Sequence, residues 1–77
     1  MKSELRNQVR SILSEVLNAD LSSIDNPARN ELAAWDSLKH MELILRLEEQ
    51  YHIRFSIREV ADIQCLDDIV GIIEVKS

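Results

Sequence analysis

Trp35-Asp36-Ser37-Leu38-Lys39-His40-Met41-Glu42-Leu43-Ile44-Leu45-Arg46-Leu47-Glu48-Glu49-Gln50 is the stretch on which the fold turns. A helical pattern starts at Asp36 and runs to about Gln50. Asp36 or Ser37 can accept a hydrogen bond from a free backbone N–H of the first turn. Leu38, Met41 and Leu45, with Glu48 and Glu49, mark one side of this helix, and Leu43, Ile44 and Leu47 widen the apolar band. A helix that is apolar on more than one side is central to its bundle or offers apolar surface to something else.

Working outward, the segment before this helix reads as a long loop. Asp20, Ser22, Ser23, Asp25, Asn26 and Pro27 are turn and cap formers. Leu21, Ile24, Leu32 and Trp35 are the apolar anchors that would pin the loop to a core. A connection of this length is unusual in a compact domain and is often functional. Upstream, Leu5, Val9, Ile12, Leu13, Val16 and Leu17 recur at helical spacing and predict an amphipathic helix over about 3–18, with Ser3 as its N-cap.

Downstream, Tyr51-His52-Ile53-Arg54-Phe55 alternates too briefly to build a sheet and reads as an extended link, Tyr51, Ile53 and Phe55 inward. Ser56 and Glu59 form a capping-box pattern that opens a short helix to about Ile63. Cys65 to Lys76 carries Leu66, Ile69, Val70, Ile72 and Ile73, with Asp67 and Asp68 in a first turn where acids suit the helix dipole. The reading is all-α: a small irregular four-helix bundle, three longer helices and a short third one, in a single domain spanning 1–77.

Composition narrows the function. A chain of 77 residues buries only about 60% of the surface its unfolded form exposes, which leaves little room for an enclosed catalytic pocket. The net charge of −5 disfavours nucleic acid and anionic membranes, and favours partners with basic patches. The one cysteine, Cys65, cannot form an internal disulfide and reads as a helix-start or buried residue. No signal-peptide run or membrane-length apolar stretch is present, so a cytoplasmic, monomeric protein is expected. His40 and His52 lie far apart without metal-ligand spacing, and His40 reads as a surface residue of the second helix. No carboxylate pair is tied to a pocket, so no enzyme is expected.

Asp36-Ser37-Leu38 at a helix start, followed by Met41-Glu42-Leu43 and Leu47-Glu48-Glu49-Gln50-Tyr51, resembles the acyl carrier proteins. The resemblance covers the whole chain, including the long first loop and the short third helix. It implies a freestanding carrier, not a catalyst. A phosphopantetheinyl transferase, with Mg²⁺, would move 4′-phosphopantetheine from coenzyme A onto the Ser37 hydroxyl. An acyl-loading ligase or synthase and downstream acyl-processing enzymes would then use the arm's thiol as a thioester carrier. Ser37, Asp36 and Leu38 are the expected attachment residues, with Leu38 burying its side chain to fix the turn. Met41, Glu42 and Leu45 are the expected partner contacts, and inner apolar residues would line a small expandable cavity.

Two departures from the family pattern bear on partners. Trp35 stands where many members have a small residue near the Asp-Ser pair. It either plugs the core or shapes the surface beside the arm, and it joins the partner-contact candidates on the second reading. Lys39, His40 and Arg46 make the second helix less acidic than in fatty-acid carriers, which suggests a specialised fatty-acid or polyketide-like pathway. An aminoacyl or D-alanyl cargo is the alternative within the family. Outside it, the rival is an unmodified helical interaction module in which Ser37 is only a cap.

Overall fold

The computed structural model describes Lys2–Lys76, with side chains from Glu4 onward. Four helices follow in order: α1 (Lys2–Leu17), α2 (Ser37–Tyr51), α3 (Ile57–Asp62) and α4 (Leu66–Lys76). Among the described residues there is no strand, only an isolated antiparallel bridge between Ala28 and Cys65. α1 packs on both α2 and α4. Its Val9, Leu13, Val16 and Leu17 meet Leu43, Ile44 and Leu47 of α2, and Leu66, Ile69, Val70 and Ile73 of α4, in one buried cluster.

Each helix stops or starts for a local reason. α1 begins at Lys2, so Ser3 lies within the helix backbone rather than at its cap; the Ser3 side chain is outside the described residues. At its other end Asn18 takes φ 53°, Ala19 N–H bonds the Ser14 carbonyl at 3.1 Å and Asn18 N–H that of Glu15 at 3.2 Å. This is a Schellman closure, with Asn in the left-handed position where glycine is commonest. α2 ends the same way at His52, φ 56°, whose successor Ile53 donates to the Glu48 carbonyl. The capping box of α3 is present in both directions, Ser56 with Glu59. Glu48 also accepts from Phe55 N–H at 2.8 Å, which turns the 53–55 link back so that Tyr51, Ile53 and Phe55 lie half-buried against the core.

The long loop is pinned rather than loose. Arg6 and Arg10 of α1 both donate to the Asp25 carbonyl, at 2.6 and 2.7 Å, and Arg6 also pairs with Asp67. Arg29 N–H bonds Gln64 O at 2.8 Å and Leu66 N–H bonds Pro27 O at 2.9 Å. Asn26 Oδ1 accepts from Asp67 N–H at 3.0 Å, capping α4 from the loop. Leu21, Pro27 and Trp35 are buried.

Gly71 sits on the exposed side of α4, and a Cβ there would meet nothing within 4 Å. Gly71→Ala should therefore stabilise the fold by about 0.5–1 kcal/mol, through reduced freedom of the unfolded chain. Urea unfolding checks it, and a loss of stability would show that the glycine is required there.

Candidate functional site: the start of helix α2

α2 begins where the loop delivers Asp36 in an extended conformation, φ −91° and ψ −176°. Asp36 Oδ1 accepts from Lys39 N–H at 2.9 Å, and the Asp36 carbonyl accepts from His40 N–H at 2.8 Å. Asp36 is thus the N-cap, and Ser37 is the first helical residue. Ser37 is exposed, and among the described residues its hydroxyl engages no hydrogen bond. The capping role that either residue could have filled in the sequence falls to Asp36, which leaves the serine hydroxyl unoccupied on the surface.

The amides of Ser37 and Leu38 precede the first bonds of the helix and point out of its positive end. An exposed hydroxyl beside such amides suits a phosphodiester, whose charge the helix end favours. The one carboxylate of the turn, Asp36, is engaged by Lys39 N–H.

Leu38 and His40 sit differently from the sequence reading, and Trp35 is decided between its two readings. Leu38 is 69% exposed, not buried: it follows the serine on the outer face of α2, where no other element covers it. It joins Met41, 48% exposed, and Leu45, 62% exposed, in an apolar stripe running away from Ser37. Glu42 lies on the same exposed side, paired with Lys39 at 3.7 Å. Trp35, in contrast, is 3% exposed and part of the core cluster. The core-plug reading holds for it, and it is withdrawn from the partner-contact set because its surface is spent on packing. His40 is 4% exposed rather than a surface residue. Its Nδ1 accepts from the Trp35 indole N–H at 2.9 Å, and its Nε2 bonds the Val60 carbonyl at 2.8 Å. Burial, and secondarily the charge of Arg29, push the His40 pKa down, with the Val60 bond pulling the other way.

The Trp35–His40 pair is the part of the site that sequence reasoning missed. Its only sequence signal is an indole donor and an imidazole acceptor five residues apart across a helix start. Arg46 pairs with Glu15 of α1 at 2.9 Å, so both basic side chains on the outer part of α2 are matched by carboxylates of the chain itself. Three surface grooves among the described residues are lined mostly by polar side chains, together with Val16, Leu45 and Ile53, and the inner apolar side chains that would line an acyl cavity are buried in the core.

A four-helix bundle that exposes an unengaged serine at the start of its second helix has the build of a carrier domain. A family model described as a phosphopantetheine attachment site matches residues 7–73. The acyl carrier protein of Thermotoga maritima is 31% identical over 77 residues, covering 97% of this chain and 94% of that protein. The chain belongs to the acyl carrier protein family, whose members bear a covalent 4′-phosphopantetheine and carry acyl groups without catalysing reactions themselves. Among the described residues no helix is long and apolar enough to cross a membrane, and no cluster of three or more His, Cys, Asp or Glu is placed to hold a metal ion.

Proposed function

We propose that Ser37 is the attachment residue and that the chain, acting as one monomeric carrier domain over 1–77 in the cytoplasm, presents acyl groups to enzymes of a dedicated fatty-acid or polyketide-like pathway. The observation that carries this reading is the exposed Ser37 hydroxyl, unengaged because Asp36 does the capping, in a chain matched to the attachment family over 7–73. When bound, the prosthetic group supplies a thiol on a flexible arm, where an acyl chain is held as a thioester. The residues of this chain supply the anchor oxygen, the helix end that favours the phosphodiester charge, and the surface that partners grip.

That surface is the Leu38–Met41–Leu45 stripe with Glu42 at its side. Partners include the phosphopantetheinyl transferase, an acyl-loading ligase or synthase, and acyl-processing enzymes. Lys39 and Arg46 among Glu42, Glu48 and Glu49 leave α2 with a mixed rather than uniformly acidic outer face. This supports partners that rely on apolar contact more than on a large basic patch.

The test is intact-protein mass after incubation of unmodified protein with coenzyme A, Mg²⁺ and a broad-specificity phosphopantetheinyl transferase. A gain of one phosphopantetheinyl group is expected; no gain with several transferases would favour the unmodified interaction module. Met41→Glu is expected to lower partner kcat/KM by about tenfold or more, with stability changed by no more than about 0.5 kcal/mol because the side chain is half outside. Paired kinetics and urea unfolding separate the two. Loss of folding would make Met41 a core residue.

A further inference from the structure

We propose that His40, held between Trp35 and Val60, latches α3 onto the start of α2 and releases it when the imidazole takes up a proton. The bonding partners decide the state of the ring. An indole N–H only donates and a carbonyl only accepts. Nδ1, facing Trp35 at 2.9 Å, therefore bears a lone pair, and Nε2, facing the Val60 carbonyl at 2.8 Å, bears the hydrogen. The clamped ring is neutral and has no nitrogen to spare. It ties together the end of the loop, the first turns of α2 and the body of α3.

α3 has little burial of its own to replace this tie. It has six residues, none of them buried, and its first residue, Ile57, is 90% exposed. Within the helix its other holds among the described residues include the half-buried Val60 and the Glu59–Lys76 ion pair at 3.0 Å; just past it, the C-cap Ile63 is buried in the core and its carbonyl accepts from Arg29 at 3.1 Å. A proton from solvent that bonds to Nδ1 would set two N–H groups against each other across the Trp35 contact. The imidazolium would then be buried and short of an acceptor, which is unfavourable until the ring reaches water. Reaching water means giving up the Val60 carbonyl. The charged side chain acting on the ring is Arg29 from the loop, which opposes a second cation; α3 offers the ring its Val60 carbonyl, and α2 contributes no charged partner to it.

The sign follows from proton binding. His40 in place titrates below the usual histidine value of about 6.5, and a released ring returns toward it. Between these two values the released state holds more protons, so the latch is at full strength above about pH 6.5 and weakens as pH falls below it, by at most about tenfold per pH unit.

Amide hydrogen exchange by NMR, corrected for the intrinsic pH dependence, tests this in wild type and His40→Gln at about pH 7.5 and about pH 5.5. Glutamine can accept and donate without titrating. In wild type, protection of α3 relative to α1 should fall at the lower pH, by up to about tenfold, and in His40→Gln it should stay flat. An equal fall in both proteins, or an unchanged α3 while the His40 ring visibly titrates, overturns the proposal. Trp35→Phe provides an independent arm, since it keeps an aromatic ring and removes the indole N–H. The His40 titration midpoint should then rise, and an unchanged midpoint overturns the clamp. Both readouts can be made on Ser37→Ala protein, so their outcome is separate from that of the loading assay.

Discussion

Ser37→Ala is expected to give a folded chain that gains no phosphopantetheinyl mass under conditions that load wild type. With attachment at Ser37 as proposed, the effect is all-or-none, because the substitution deletes the oxygen that would bond to phosphorus. Folding should hardly notice. Ser37 is exposed and its hydroxyl is unengaged, so the expected stability change is within about 0.5 kcal/mol. Asp36→Ala is the informative companion. Asp36 is the cap of α2 through its bond to Lys39 N–H, and its removal should cost about 0.5–2 kcal/mol. The two substitutions thus divide two roles that neighbouring residues could have shared. If Ser37→Ala lost about 1–2 kcal/mol and wild type never loaded, the serine would be a cap and the carrier reading of this position would fail.

Trp35→Ala should cost about 3–5 kcal/mol in urea unfolding followed by far-UV circular dichroism. Chains of this size have total stabilities of about 4–12 kcal/mol, so the variant would lose about a quarter of its stability or more. Part of the loss is the emptied volume beneath the loop, where Trp35 is 3% exposed. The rest is the buried Nδ1 of His40, left without its donor. A loss below about 1 kcal/mol would place Trp35 outside the core by the same scale, and would reinstate it as surface beside the attachment site.

Trp35 and His40 also show how far pattern reading reaches. Signals spanning three or four residues were legible. The Ser56–Glu59 capping box located α3, the apolar spacing from Leu5 to Leu17 located α1, and Asp36-Ser37 located the start of α2. In each case the determining contact lies within one helical turn and needs no knowledge of the rest of the chain. The place of Ser37 at that start was legible for the same reason, because a helix start is a local event.

Burial is not local, and here the tertiary structure decided. α2 offers two apolar rows, Leu43, Ile44 and Leu47 on one and Leu38, Met41 and Leu45 on the other, and α1 covers only the first. Nothing in the spacing of α2 says which row α1 will take, so Leu38 read as an anchor and emerged as surface. His40 read as surface and emerged in the core, because its partners come from the loop and from α3. The same holds for the cap that Asn26 places on Asp67, 41 residues away. Residues near in sequence choose the helices; the distant residues that reach each face choose which side chains are left for partners.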